Sequence, residues 1–169
     1  MGFQLPLVIA ATSSSRVDCG WWKFVIKASI TLKDLLLHQA GLYPYLKFYE
    51  SLLNKDGSFI AGLVSNTKDN AHPSFITPNK WLVENWKDTI QNQILRSPVT
   101  ASGKYVYSDN DFILLGKIIE EVTGKDLNTY TREQFYAPLG MSSTGYLPLQ
   151  KTSKDNIAAT EIDNYFRNQ

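Results

Sequence analysis

A phenol, a hydroxyl and a carboxylate follow one another at Tyr107-Ser108-Asp109, immediately before a long amphipathic segment. This junction predicts polar side chains held at the start of a helix, where free backbone amides and the helix dipole bias nearby ionisations. A loop would hold the same groups less rigidly. This stretch is therefore where we expect any chemistry to reside.

The helix that would position these groups is predicted to begin at Asp109 or Asp111 and to end before Gly124. Apolar residues recur there at helical spacing, and glycine just after a last turn is a common C-terminal signal. The predicted apolar face consists of Phe112, Leu115, Ile118, Ile119 and Val122. Burial of that face would anchor the junction.

Two shorter helices are predicted from their capping residues. Thr31 and Asp34 have the spacing of a capping box, and Gly41 is expected to stop the helix that follows. Asp126 is expected to cap a further helix that runs through Tyr136.

The middle of the chain is less regular. Residues 43–76 are predicted to form an irregular excursion with one brief helix at residues 46–53. A second long helix is predicted from Thr77-Pro78 to Ser97-Pro98, because a cap and a first-turn proline precede residues recurring every four positions. The recurring residues are Leu82, Trp86, Ile90 and Ile94. We expect Trp86 to lie in the core.

Composition excludes several classes of protein. The chain has 169 residues, 43% of them hydrophobic, which is enough for one ordered domain. Seventeen basic and sixteen acidic residues give a net charge of +1 without a basic stripe, so nucleic-acid binding is disfavoured. No apolar run reaches the roughly 20 residues that a membrane-spanning helix needs.

Metal and cofactor chemistry gains no support from the sequence. Cys19 is the single cysteine, which excludes a zinc site built on several thiolates. His38 and His72 lack the spacing of paired ligands, so each is interpreted as a helix-end or surface imidazole. We expect no metal and no cofactor, and assign neither histidine a catalytic role.

Two segments, in the same order along the chain, resemble a known family. Residues 30–42, ITLKDLLLHQAGL, are similar to the stretch after the first catalytic motif of serine β-lactamase-like hydrolases. Residues 107–124, YSDNDFILLGKIIEEVTG, followed by FYAPLGMSSTGY at residues 135–146, resemble the second motif region. Together with YFR at residues 165–167, they are closest to the β-lactamase-like domain found behind family 3 glycoside hydrolases.

The resemblance implies roles for the junction. Tyr107 takes the place of the family's proton-relay tyrosine and is the predicted catalytic residue. Asp109 stands where the family has a substrate-binding asparagine, and an ionised carboxylate accepts hydrogen bonds but cannot donate them. Asp109 and Ser108 are the predicted substrate-binding residues, with a substrate preference that differs from that of a β-lactamase.

Two alternatives remain for the same junction. Ser108-Asp109-Asn110 also spells the Ser-Asp-Asn motif of class A β-lactamases, which would make Ser108 the relay. We favour Tyr107, because the FILLG continuation at residues 112–116 follows the tyrosine motif in the esterase and class C branch. The third interpretation is structural, with Ser108 or Asp109 as helix cap and Tyr107 as a packing aromatic.

Two motifs of the resembled family are missing. Its acylating serine is activated by a lysine one helical turn later, yet the one Ser-x-x-Lys string, Ser65 to Lys68, comes after residues 30–42 in a polar stretch. We interpret that string as chance. The Ser13-Ser14-Ser15-Arg16 run cannot replace it, because arginine stays protonated. The Lys/His-Ser/Thr-Gly motif is also absent.

The resemblance implies a mainly α structure: the helical middle region of the α+β serine β-lactamase-like (DD-peptidase) fold, with little sheet. Residues 1–29 are an unassigned segment and residues 30–169 a partial hydrolase domain. The predicted function is a fragment of an acyl-serine amide or ester hydrolase or transpeptidase, inactive alone. The complete protein would act on a small-molecule or peptidoglycan-type substrate in an extracytoplasmic location, with a possible fused glycosidase domain.

The alternative function belongs to a different class. Tyrosines of residues 43–49 could face a cleft and stack on sugars, which would make the chain a non-catalytic cell-wall glycan-binding or accessory module of a glycoside hydrolase. A plain helical interaction domain is the third hypothesis, favoured if the Tyr107 junction proved buried.

Overall fold

The computed structural model describes residues 30–100 and 103–158. Helices dominate these ranges, and the sheet is small, as expected. In chain order the elements are α1 (Leu32–Leu36), a 3-10 helix (Phe48–Leu52), β1 (Val64–Ser65), β2 (Ser74–Thr77), β3 (Lys80–Leu82), α2 (Trp86–Arg96), α3 (Asp109–Thr123) and α4 (Leu127–Thr131), followed by a π-helical turn (Arg132–Tyr136) and two 3-10 turns (Pro148–Gln150 and Lys154–Asn156). The predicted brief helix at residues 46–53 is therefore confirmed.

The capping box predicted at the start of α1 is confirmed. The Thr31 hydroxyl accepts the Asp34 backbone N–H at 3.1 Å, and the Asp34 carboxylate accepts the Thr31 backbone N–H at 2.8 Å. The helix ends earlier than predicted, because His38 adopts a left-handed backbone with φ of 53°. That conformation stops the helix three residues before Gly41.

The predicted start of the second long helix is wrong. Residues 74–77 and 80–82 form the hairpin β2–β3, and β1 pairs with the other edge of β3 in an antiparallel sheet of order β1-β3-β2. Pro78 lies in the turn, where its fixed φ is as suitable as in a first helical turn. Phe75 and Trp81 are cross-strand partners with ring centroids 5.3 Å apart, and such aromatic pairs stabilise strands.

The end of that helix, α2, agrees with the prediction. It covers Trp86–Arg96, and Ser97 is the C-cap before Pro98. Trp86 is buried and Ile94 is fully buried, so both belong to the core as expected.

The bounds of α3 are confirmed, and its predicted buried face is partly correct, since Ile118 is buried and Leu115 packs against the core. Gly124 ends the helix in the left-handed conformation, with φ of 66°. Leu114 and Ile118 are the buried apolar residues, whereas Phe112 is 55% exposed. The helix is rotated because polar Asn110 and Asp111 occupy its buried stripe, which a count of apolar residues cannot reveal.

A single cluster joins these elements. Its buried members are Ile30, Leu35, Ala40, Leu42, Ile94, Leu114 and Ile118.

The fourth predicted helix is confirmed, since the Asp126 carboxylate caps α4 by accepting the Thr129 N–H at 2.9 Å. Helices α3 and α4 lie close together at Gly116, where a Cβ would lie 3.4 Å from Leu127 Cδ2.

Within the described ranges, no helix combines the length and the apolar character that crossing a bilayer requires. Helix α3, at 15 residues, is the longest of the helices given above.

The capping box provides a test of how α1 is stabilised. Thr31→Ala removes the acceptor for the Asp34 N–H, and we expect a loss of about 1 kcal/mol in the free energy of unfolding. Urea unfolding of both proteins measures it. Thr67→Ala changes an exposed loop threonine and serves as control; an equal effect of both substitutions would contradict a specific role for the cap.

Candidate functional site

Tyr107 immediately precedes Ser108, the N-cap of α3, and 59% of its surface is exposed. The negative charge of Asp109, followed by a hydrogen bond with that carboxylate, raises the pKa of the Tyr107 phenol above its ordinary value. A phenol with a raised pKa keeps its proton at neutral pH. The geometry therefore presents an accessible hydrogen-bond donor paired with an acceptor.

Ser108 is fully buried between α3 and the Tyr43 segment. Its hydroxyl donates to the Tyr43 carbonyl at 2.8 Å and accepts the Asn110 backbone N–H at 3.2 Å. The second bond is that of an N-cap. Both hydrogen bonds keep the hydroxyl within the protein, while the neighbouring phenol points outward.

The two segments singled out by sequence are bound together through their backbones. The Val106 N–H donates to the His38 carbonyl at 2.9 Å, and the Asp109 N–H donates to the Pro44 carbonyl at 3.0 Å. Thr100 N–H donates to the Gly41 carbonyl at 2.7 Å. Residues 38–44 consequently run alongside the start of α3 and fix its direction.

A buried pair reinforces that contact. His38 Nδ1 lies 2.7 Å from the Asp111 carboxylate, with 11% and 1% of the two side chains exposed. Burial raises the pKa of Asp111, and the hydrogen bond from His38 opposes that rise. The imidazole ring also lies beside Tyr107, with centroids 4.7 Å apart. It thus connects the end of α1 to the candidate catalytic phenol.

His38 was predicted to be a helix-end or surface imidazole without a catalytic role, and the structure does place it just after the end of α1. Its buried position was missed. One signal was available: Asp111 lies three residues before Leu114, so both side chains are on the same face of the predicted helix. A buried carboxylate requires a partner, and a histidine is one of the few candidates.

The Ser65 to Lys68 string and the tyrosines of residues 43–49, which were also candidates from the sequence, lie outside the Tyr107 junction. Ser65 pairs with Trp81 in the sheet, and the Lys68 ammonium lies over the Trp81 ring, 5.4 Å from its centroid. This Ser-x-x-Lys string is therefore not the first turn of a helix. Tyr43 and Tyr45 are 45% and 49% exposed and line an open groove of about 810 Å³.

Residues 1–29, with the serine run 13–15, lie outside the described residues, as does the YFR segment at 165–167. Among the residues that are described, no group of three or more histidine, cysteine, aspartate or glutamate side chains could hold a metal ion.

The profile of the family described as Beta-lactamase matches residues 16–159, most of the chain. The chain belongs to the β-lactamase family. This confirms the resemblance to the serine β-lactamase-like hydrolases and the β-lactamase-like fold, and it places the Tyr107 junction within the domain of a serine hydrolase family.

Several relatives of this β-lactamase-family chain match shorter segments. A putative D-alanyl-D-alanine carboxypeptidase of Escherichia coli (strain K12) is 45% identical over 73 residues, covering 41% of this chain and 17% of the relative. An N-acetylmuramyl-L-alanine amidase of Bacillus subtilis (strain 168) is 51% identical over 59 residues, covering 34% and 13%. The matched segments are thus less than a fifth of either relative.

A solved structure also resembles the chain. The D-amino acid amidase of Ochrobactrum anthropi SV3, complexed with D-phenylalanine, aligns with 82% of this chain and 38% of its own, at 19% identity and a TM-score of 0.47.

The buried pair is testable by substitution. His38→Ala leaves the Asp111 carboxyl in the interior without its partner, and we expect a loss on the order of 3–5 kcal/mol in the free energy of unfolding. Glu121→Ala removes an exposed pair with Lys117 and should cost less than about 1 kcal/mol. Equal losses in urea unfolding would show that the His38–Asp111 contact is not specially stabilising.

Proposed function

We propose that this chain carries the proton-relay part of an acyl-serine hydrolase. Tyr107 is its catalytic residue and Asp109 contacts the substrate. Ser108, predicted from the sequence as a second substrate-binding residue, is fully buried, and we propose instead that it holds both in place as the cap of α3. The observation that carries the proposal is the exposed Tyr107 phenol next to the Asp109 carboxylate, in a chain that belongs to the β-lactamase family.

The raised pKa of the Tyr107 phenol indicates that a proton relay at this residue needs a nearby cation in addition. A phenol moves a proton in both directions most readily when its pKa is lowered toward neutral pH, and a nearby cation does this. Here Asp109 has the opposite effect on the pKa. We therefore propose that these 169 residues alone do not form an acyl-enzyme, because the one Ser-x-x-Lys string of the sequence, Ser65 to Lys68, begins in a strand and not at the start of a helix.

Asp109 bears on the class of substrate. Its carboxylate accepts hydrogen bonds and cannot donate to a carbonyl oxygen, so the preferred substrate presents an N–H to it. Peptide-type amides meet that requirement at the bond to be cleaved, whereas the nitrogen of the cleaved ring amide of a penicillin-type β-lactam carries no hydrogen. We propose an amide of the peptidoglycan type rather than a β-lactam.

The names of the relatives agree with this class. One is a putative carboxypeptidase for D-alanyl-D-alanine and another an amidase for N-acetylmuramyl-L-alanine, both cell-wall constituents. By the same reasoning we propose an extracytoplasmic location. The fused glycosidase remains a hypothesis, and the comparisons lend no support to the glycan-binding alternative.

Acylation can be tested directly on the purified chain. A fluorescent penicillin and a fluorophosphonate both trap an activated serine, and we expect neither to label the chain, because the proposal gives it no activated serine. Gel fluorescence and intact-mass spectrometry measure the labelled fraction, with a complete serine hydrolase as positive control. Stoichiometric labelling would overturn the proposed incompleteness and leave the family assignment intact.

The substrate contact can be tested without turnover. We expect D-alanyl-D-alanine to perturb NMR signals of Tyr107 and Asp109, because the dipeptide presents an amide N–H. A hydrogen bond to a charged group contributes about 1.5–3 kcal/mol, so Asp109→Ala should weaken binding by roughly 10- to 100-fold.

Asp155→Ala, at an exposed aspartate in the turn Lys154–Asn156, is the matched control and should bind as the parent does. Unchanged affinity in Asp109→Ala would remove Asp109 from the proposed site.

A further inference from the structure

The loop between β1 and β2 is held by a histidine that the proposed reaction does not use. His72 Nδ1 lies 2.9 Å from one Asp69 carboxylate oxygen and 3.1 Å from the other. On the opposite side of the ring, Nε2 lies 3.0 Å from the Gly62 carbonyl oxygen. The imidazole thus bridges two segments ten residues apart, and 13% of its side chain is exposed.

These partners determine the protonation state of the ring. A carbonyl oxygen only accepts hydrogen bonds, and so does an ionised carboxylate, so both ring nitrogens must donate. Neutral imidazole has one N–H, and imidazolium has two. Only the cation can donate to the Asp69 carboxylate and to the Gly62 carbonyl at the same time.

The Asp69 carboxylate is held in position to accept a hydrogen bond from the His72 cation. One carboxylate oxygen also accepts the backbone N–H groups of Ala71 and His72, each at 2.8 Å, which fixes the carboxylate in a tight turn. Of the groups facing His72, Asp69 on the same loop supplies the charge and Gly62 on the preceding segment supplies a carbonyl dipole. Hydrogen bonding to Asp69 and then to Gly62 raises the pKa of His72 above its ordinary value.

The loop forms part of the wall of a groove. Lys68 and Pro73 line a groove of about 790 Å³ together with Phe75 and Trp81 of the hairpin. Lys68 lies over the Trp81 ring, and the Ala71 carbonyl accepts the Glu84 N–H at 3.0 Å. Displacement of the 69–72 turn would therefore alter the surroundings of Trp81.

We propose that residues 62–72 form a pH-sensitive latch: imidazolium at His72 fastens the Asp69–His72 turn to Gly62, and loss of one ring proton releases this wall of the groove. The inference is independent of the acyl-transfer chemistry proposed for Tyr107.

The direction of the pH dependence follows from linkage. The pKa of His72 is raised in the folded chain, so its contribution to stability is fully present below the unfolded value of about 6.5 and is lost as pH rises through the folded value. The pKa of Asp69 is lowered, so its contribution is lost only in acid, as pH falls through its folded value. The latch is closed between these two limits.

The test is an NMR titration of the full 169-residue chain that follows the ring C–H signals of His72, assigned by their absence in His72→Gln. We expect His72 to titrate above 6.5 and Asp69→Asn to shift its pKa downward. The Trp81 indole N–H signal should move over the same pH range in the parent and stay fixed in His72→Gln.

Asp56→Asn is the matched control, because Asp56 caps a different exposed turn through Ser58 and has no histidine partner there. It should leave the His72 titration unchanged. Titration of His72 at or below 6.5, an equal shift in both aspartate variants, or a Trp81 signal that does not follow His72 would each overturn the proposal.

Discussion

The structure depends on the contact between residues 38–44 and the start of α3. Backbone hydrogen bonds from Val106 and Asp109 and the buried His38–Asp111 pair, at 2.7 Å, unite segments that are about 70 residues apart in sequence. Such a non-local contact carries a loop-closure cost, which several simultaneous bonds can offset where one could not. The apolar cluster that contains Leu35 of α1 and Leu114 of α3 joins the same two parts of the chain.

This contact explains how an exposed tyrosine can occupy a defined place. Tyr107 itself is more than half exposed, so its own burial does little to orient it. The residues on either side restrain it, since Val106 is tied to His38 and Ser108 is the buried cap of α3. Reactive groups positioned by rigid neighbours lose little freedom when a substrate binds.

Local signals in the sequence predicted local features well. The Thr31 capping box, the Gly124 terminus and the Asp126 cap each depend on residues within four positions, and each was predicted. Thr77-Pro78 was misread, because proline suits both a first helical turn and a hairpin turn, and the pairing of Phe75 with Trp81 decides between them. The rotation of α3 and the pairing of Asp111 with His38 depend on the fold as a whole, so composition and periodicity could not establish either, although the position of Asp111 on the helix face was a signal for a buried carboxylate.

Of the candidate site, the sequence identified the junction and its three residues but not the geometry. The family motif pointed to Tyr107 and Asp109, and nothing local indicated that Ser108 would face inward while its neighbours face outward. That difference arises from the Tyr43 carbonyl, which comes from a segment 65 residues earlier.

The left-handed backbone at His38 makes that position unusually demanding. Few residues other than glycine tolerate a φ of 53°, and histidine is among those enriched there; glycine itself would provide no ring for Asp111. The Tyr107 phenol is under a weaker restriction, since its ring is 59% exposed and contacts the interior through its packing against His38. During divergence, a protein with this fold can therefore lose the proposed reaction while it keeps the fold itself.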